Sequence, residues 1–195
     1  MNHFDSLGLQ TGDIILLRTE GPLGFLIRAF GRAHTGGARV NHAGLVLSLE
    51  QGLKVWEAGP LGIRTRPLSV YTSTPCVIYR YLTNNTDETK AKMLELCLGL
   101  VGQSYGFLKL PLYALDGVGG WVTRVVFRQN KPFYFFSKSF GITHFKVCSN
   151  AVGYVYEKVY GRKDFFHIPW RSLTPDLIDD FCVAHGDWQI IGDSL

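Results

Sequence analysis

Residues 146–161 read KVCSNAVGYVYEKVYG and decide the fold prediction, because a strand-like run ends here and a helix-like run begins. The strand-like run is Ile142 to Val147. From Ser149 to Tyr160, apolar residues recur at the i, i+3, i+4 spacing of a buried helix face. They are Ala151, Val152, Val155, Tyr156 and Val159. Gly161 supplies a typical end for this helix. The sequence therefore predicts a strand, Cys148 and a helix in direct succession.

The position of Cys148 gives it a possible chemical role. At the first turn of a helix, unpaired backbone N–H groups and the positive end of the helix dipole both favour the thiolate over the thiol. The thiolate is the nucleophilic form of cysteine. The alternative is a small buried core residue, which is the commonest role of a lone intracellular cysteine. Cys148 is thus a candidate nucleophile that needs a base.

His42 is the candidate base. Residues 12–18 and 41–47 read as two strands, and His42 lies near the start of the second. Gly44 follows two residues later on the same strand face and leaves space beside the imidazole for another backbone or side chain to approach. His144 precedes Cys148 by four residues, about 13 Å if the segment is extended, which is too far for a base. The other histidines show no shared spacing and are weak candidates: His3, His34, His167 and His185.

Glu57 is the candidate that would orient His42. It lies in a short strand, Val55 to Ala58, that follows a turn at residues 50–52. A turn centred on the last two of these places Glu57 opposite Val46, about 13 Å along the strand from His42. A turn centred on the first two places it opposite Gly44, where a diagonal contact of roughly 7–8 Å between backbones reaches His42. Both registers stay open, as does the alternative that Glu57 is a solvent-facing strand carboxylate.

The remaining patterns predict an α+β fold. Residues 76–81 read as a strand, and residues 22–33 read as a short helix. A capping box of Asn85 and Glu88 opens a helix whose predicted inward face is Leu94, Cys97, Leu98 and Val101. Thr174 and Pro175 open the last helix. We expect a twisted antiparallel sheet that packs against the helix carrying Cys148.

The order His42, Glu57, Cys148 reverses the cysteine-first order of papain-like enzymes. In this respect the chain resembles the circularly permuted papain-like hydrolases of the NlpC-like superfamily, particularly their bacterial amidase/peptidase branch. The resemblance spans most of residues 10–180. It rests on Gly12 to Leu16, on His42 to Val46, on Glu57-Ala58 with Gly62-Ile63 and Pro67-Leu68, on Gly102 with Tyr105, and on Cys148-Ser149-Asn150.

The resemblance implies a permuted papain-like fold and cleavage of an amide bond, in a cell-wall peptide or, as a second choice, in a lipid or acyl conjugate. His42 would take the proton from Cys148, and the resulting thiolate would attack the carbonyl. Glu57 would orient the imidazole, and a backbone N–H at the start of the helix would help to hold the oxyanion. The family often has an acidic residue where Asn150 stands. This departure leaves the nucleophile untouched.

Two other functions stay open. Lipid acyltransferases and phospholipases of the lecithin:retinol acyltransferase type share the order of strand histidine and late cysteine. Their second histidine and their Asn-Cys-Glu-His run are missing here, where residues 147–150 read VCSN. A non-catalytic binding module that kept the fold is the other alternative, and it predicts ordinary reactivity for the Cys148 thiol.

Composition favours one catalytic domain over residues 1–195. With 195 residues and 46% hydrophobic content, the chain can bury a substantial core. Residues 107–140 form an aromatic and basic elaboration, longer than the resemblance needs, which predicts either additional core or a wall for an apolar substrate group. The substrate and the oligomeric state are left open.

Composition also argues against several partners. The four cysteines, at positions 76, 97, 148 and 182, show neither CxxC nor metal spacing, so we expect no disulfide framework, no metal and no cofactor. The net charge of +4 is mild and its Lys and Arg residues are spread out, which predicts no nucleic-acid partner. Residues 1–5 lack a basic or apolar leader, and no apolar run approaches the ~20 residues of a membrane span. A cytoplasmic protein is the expectation, with a cellular or phage-encoded setting left open.

Overall fold

The computed structural model describes residues 3–20, 39–59, 62–103 and 148–195. The predicted helix at 22–33, the predicted strand at 142–147, the aromatic segment at 107–140, Tyr105 and His144 lie outside these ranges. The elements in chain order are β1 (Ile14–Leu17), β2 (His42–Leu49), β3 (Gly52–Gly59), β4 (Gly62–Pro67), β5 (Cys76–Tyr81), α1 (Asp87–Gly99), α2 (Cys148–Tyr160), α3 (Pro175–Ala184) and β6 (Trp188–Asp193).

The six strands form one antiparallel sheet in the order β4-β3-β2-β1-β5-β6. With the helices α1, α2 and α3 this is an α+β architecture, as the sequence predicts. The predicted strands β1, β2 and β5 are confirmed, and β3 is eight residues long where the pattern indicates four. β4 and β6 were not predicted, because β4 alternates basic residues with others and β6 is half exposed.

The two faces of the sheet bury different clusters. Ile14 and Leu16 of β1 point to the face on which α2 packs, together with Ala43 and Leu45 of β2. Ile15 and Leu17 point to the other face. Their neighbours there include Val46, Val55, Leu68 and Tyr71. Each such side chain contributes about 1.5–3 kcal/mol by leaving water, so the strand alternation fixes which side chains of β2 and β3 face the helix.

Within the described residues, the helix α2 spans Cys148–Tyr160. Its predicted inward face is confirmed: Ala151, Val152, Val155 and Tyr156 are buried and Val159 is partly buried against the same cluster. Gly161 follows with φ of 63°, the left-handed conformation that ends helices and that glycine adopts at little cost. Cys148 is therefore held at a helix start by a packed element. The α3 start at Thr174 and Pro175 is also confirmed.

The predicted capping box of α1 is wrong. The N-cap is Thr86, whose side chain accepts a hydrogen bond from the Thr89 N–H at 3.2 Å, while Glu88 forms an ion pair with Lys92. The helix begins one residue later than the box requires. Its inward face also differs in part from the prediction. Met93, Cys97 and Leu100 are buried, whereas Leu98 and Val101 are 44% and 43% exposed. The core position of Cys97 is confirmed.

None of the helices in the described ranges is long and apolar enough to cross a lipid bilayer.

Candidate active site

The structure brings the three predicted residues together. His42 is the first residue of β2, Glu57 lies on β3 and Cys148 is the first residue of α2. The strand pairing places Glu57 opposite Gly44, which is the second of the two registers left open by the sequence. His42 is then diagonal to Glu57, and its Nε2 lies 2.7 Å from Glu57 Oε2.

His42 also forms a hydrogen bond with the Cys148 side chain. Because Nε2 is engaged by Glu57, Nδ1 is the ring nitrogen left for the sulfur. Burial alone would lower the pKa of His42, but the negative charge of Cys148 and the hydrogen bonds to Cys148 and Glu57 raise that pKa to about 10. The imidazole is thus charged at neutral pH.

The pKa of the Cys148 thiol is shifted down. Burial raises it, but the charge of His42, the hydrogen bond from His42 and the backbone N–H groups of Ala43 and Ser149 lower it by more. Ser149 N–H belongs to the first turn of α2. The pairing of β2 with β3 extends to Gly44, one residue after Ala43. The Ala43 N–H lies just beyond this pairing and can therefore point toward the sulfur. The two opposite shifts favour a resting thiolate–imidazolium pair.

Glu57 is buried, with its side chain only 2% exposed, and both of its oxygens are hydrogen-bonded. Oε2 accepts from His42 and from the Tyr71 hydroxyl, each at 2.7 Å, and Oε1 accepts from Arg64 Nε at 2.9 Å. Burial alone would raise the pKa of Glu57. The hydrogen bond and positive charge of His42, together with the hydrogen bonds from Tyr71 and Arg64, instead lower this pKa to about 2. Glu57 is therefore a permanent anion behind the imidazole, and the solvent-facing alternative is wrong.

Arg64 and Tyr71 are the site residues that the sequence reasoning missed. Arg64 faces Glu57 directly in the pairing of β3 with β4, so a hairpin drawn between residues 59 and 62 would have found it. Tyr71 comes from a short 3-10 helix at Leu68–Tyr71, where no spacing rule links it to the site.

Asn41 and Gly44 lie close to His42 in the sequence, and the structure shows what each of them contacts. The Asn41 side chain bonds the backbone and hydroxyl of Thr19 at 2.8–3.0 Å and so is not engaged with His42. A Cβ at Gly44 would lie 2.7 Å from Val55 Cγ1 and 3.0 Å from the Trp56 carbonyl oxygen. The space that Gly44 leaves is thus filled by the side chain and backbone of β3, as the sequence predicts.

The other thiols differ from Cys148. Cys76, Cys97 and Cys182 are all buried and form no disulfide, and burial raises the pKa of each. His167 and His185 pack against Phe181 in an aromatic cluster. Within the ranges that the structure describes, no three His, Cys, Asp or Glu side chains are arranged to hold a metal ion.

No family model matches this chain, and no curated protein matches it in sequence. The chain is similar in structure to the metalloprotein YiiX of Escherichia coli O157:H7, described as a DUF1105 protein. The superposition has a TM-score of 0.61 with 16% sequence identity and covers 94% of this chain and 97% of YiiX. At this identity the likeness concerns the fold, which the two chains share over nearly their whole length.

Proposed function

We propose that this chain is a cysteine hydrolase with a circularly permuted papain-like fold. The observation that carries the proposal is the position of His42, which bonds the Cys148 side chain on one side and the buried, ionised Glu57 on the other. A nucleophile, a base and an orienting carboxylate in hydrogen-bonded sequence are the arrangement that activates a thiol for acyl transfer.

The reaction we propose begins from the ion pair. The Cys148 thiolate attacks the carbonyl carbon of an amide, a C–S bond forms, and an electron pair moves onto the carbonyl oxygen. When the oxyanion collapses, the C–N bond breaks and the His42 imidazolium gives its proton to the leaving amine. Water then attacks the thioester and passes a proton to His42, the carboxylate product leaves, and the thiolate is restored.

The backbone at the start of α2 supports the charged states of this sequence. The N–H groups of Ser149 and Ala43 that bond the sulfur stabilise the thiolate before attack. In this proposal the N–H of Cys148, at the start of α2, donates to the oxyanion. Glu57 stabilises the imidazolium throughout.

The substrate we propose is an amide in a cell-wall peptide or a related acyl-amide. An acyl transfer to another acceptor, as in lipid acyltransferases of the lecithin:retinol acyltransferase type, would use the same thioester and differ only in the second step. The test is therefore made in two arms, with peptidoglycan fragments in one and a bacterial lipid extract in the other.

In each arm we would compare wild type, Cys148→Ala and Cys182→Ala, the last removing another buried thiol. New amine and carboxylate ends from peptidoglycan, formed by wild type and Cys182→Ala and abolished in Cys148→Ala, support the proposal. If acyl exchange is seen, and only with the lipid extract, the protein is an acyltransferase and the proposed amidase activity is contradicted. Turnover that survives in Cys148→Ala, or no turnover together with ordinary reactivity of the Cys148 thiol, contradicts a cysteine hydrolase.

A further inference from the structure

Glu57 is held by two side chains besides His42. The Tyr71 hydroxyl donates to Oε2 at 2.7 Å, and Arg64 Nε donates to Oε1 at 2.9 Å, with Arg64 Nη2 in an ion pair at 2.8 Å from the same oxygen. The carboxylate is 2% exposed, so these donors stand where water would otherwise bind. Both oxygens of Glu57 are thereby bonded by named side chains.

The sharing of Oε2 restricts His42. Tyr71 and His42 donate to the same oxygen, while Arg64 holds the other oxygen from the opposite strand. The carboxylate cannot rotate without breaking bonds at both ends, so one direction remains for the imidazole Nε2–H. A proton fixed on Nε2 leaves Nδ1 for the sulfur.

The two donors are themselves held in place. A Cβ at Gly59 would lie 3.2–3.4 Å from three atoms of the Arg64 guanidinium, so the group lies against a residue without a side chain. The Arg66 guanidinium lies 5.8 Å from the centre of the Tyr71 ring, and Tyr71 is buried. Burial and the bond to Glu57 raise the pKa of Tyr71, which keeps its hydroxyl a donor.

We propose that Tyr71 and Arg64 are positioning residues of the site, acting through Glu57 to fix the orientation of His42 and thereby the thiolate state of Cys148. The kinetic part of this inference rests on the proposed function. The thiolate part does not, because the reactivity of Cys148 can be measured without a substrate.

A second cluster in the same chain has the same make-up and lacks a histidine. Asp179 of α3 accepts from the Tyr79 hydroxyl at 2.5 Å and from Arg39 Nε and Nη2 at 3.0 Å each. This cluster joins β5, α3 and the segment before β2. Here a tyrosine and an arginine bond a buried carboxylate that has no histidine bonded to it within the described residues, so the cluster provides matched control positions.

The experiment compares Tyr71→Phe and Arg64→Met with the controls Tyr79→Phe and Arg39→Met. The rate of Cys148 alkylation by iodoacetamide is measured against pH by mass spectrometry, alongside urea unfolding of each variant. We expect both test variants to shift the onset of alkylation to higher pH and to react roughly tenfold more slowly at mildly acidic pH, the effect of about one pKa unit. The controls should lose stability and keep the wild-type alkylation profile.

Arg64→Lys keeps the positive charge beside Glu57. It is the second test variant at this position, to be used if Arg64→Met does not fold. Because the lysine ammonium cannot reproduce the directed Nε–H bond of the guanidinium to Oε1, we expect a profile between those of wild type and Tyr71→Phe. Where turnover is measurable, kcat should fall in the test variants with KM nearly unchanged.

Test variants that lose stability like the controls, yet keep the wild-type alkylation profile, would overturn the positioning role. A shifted profile in a protein that hydrolyses nothing supports the positioning role and counts against the proposed function alone. If wild type hydrolyses its substrate but the test variants keep the wild-type alkylation profile and the wild-type kcat, the proposed function is supported and the positioning role is contradicted.

Discussion

At the scale of single residues, the site depends on where three charges lie. Glu57 is anionic at all ordinary pH values because its pKa is lowered to about 2, and it lies against a histidine whose pKa is raised to about 10. The imidazolium in turn lowers the pKa of Cys148. Each shift depends on the neighbouring charge, so removal of one charge should be felt by the other two.

The Glu57→Gln variant tests this dependence. Glutamine keeps an oxygen for the Tyr71 hydroxyl and for His42 Nε2–H, but it places an NH2 group against Arg64 and no longer stabilises the imidazolium, so urea unfolding is measured beside activity. We expect kcat on any confirmed substrate to fall by roughly tenfold or more with KM nearly unchanged, and the His42 pKa, followed by NMR, to fall toward its ordinary value of 6.5. A His42 pKa that stays near 10 in this variant would show that Glu57 does not hold the charge.

The sequence identifies the members of the site and not their contacts. Cys148, His42 and Glu57 can each be found from a local pattern, such as a helix start or a strand start. The contact between His42 and Glu57 depends on a turn whose centre can shift by one residue, and both versions have turn-forming sequences. Tyr71 could not be found in this way, because its approach to Glu57 depends on how the chain returns after β4.

At the scale of secondary-structure elements, the hairpin of β2 and β3 sets the distance from His42 to Glu57. Gly44 pairs with Glu57, and the backbones come close enough that a Cβ at Gly44 would be 2.7 Å from Val55 Cγ1. A strand glycine usually weakens a sheet. Here it permits the close approach that places the carboxylate beside the imidazole.

Gly44→Ala should therefore disturb the fold and the site together. Val55 is buried and the Trp56 carbonyl is backbone, so neither can move freely, and we expect a loss of about 1–3 kcal/mol in the free energy of unfolding. We also expect slower alkylation of Cys148. Gly192→Ala is the matched control on β6, where the added methyl meets the flexible end of Leu7. Unchanged Cys148 reactivity in Gly44→Ala would separate the hairpin spacing from the site.

The amphipathic patterns explain which elements could be predicted. α2 has a broad buried stripe, and β1 is buried on both faces, so each is marked by several apolar residues in phase. α1 is mostly exposed, with Met93 and Cys97 as its buried residues, and two apolar residues of its sequence lie on the solvent side. A face with so few apolar residues leaves the phase of the helix undetermined, which is why Leu98 and Val101 are wrongly predicted to face inward, while Cys97 and the partly buried Leu94 do so.

At the scale of the whole molecule, the buried carboxylate links stability to pH. The pKa of Glu57 is about 2 in the fold against 4.5 in its ordinary state. The folded state therefore binds this proton less readily than the unfolded state, so the stabilisation is complete above about pH 4.5 and is lost as pH falls toward 2.

We expect wild type to lose on the order of 3 kcal/mol of unfolding free energy across that interval through Glu57, a loss that Glu57→Gln should lack. Urea unfolding at a series of pH values measures both proteins, and other carboxylates contribute equally to each. Parallel pH profiles for the two proteins would contradict the ionised state of Glu57.

The central claim is that Cys148 rests as a thiolate because His42 lies beside it. The most direct measurement is the pH dependence of iodoacetamide alkylation at each of the four thiols, resolved by mass spectrometry, in wild type and in His42→Ala. We predict that Cys148 reacts first at mildly acidic pH in wild type, that Cys76, Cys97 and Cys182 react only after unfolding, and that the Cys148 onset moves to higher pH in His42→Ala. Uniform labelling of the four thiols, or a Cys148 profile that is the same with and without the imidazole, would contradict the account.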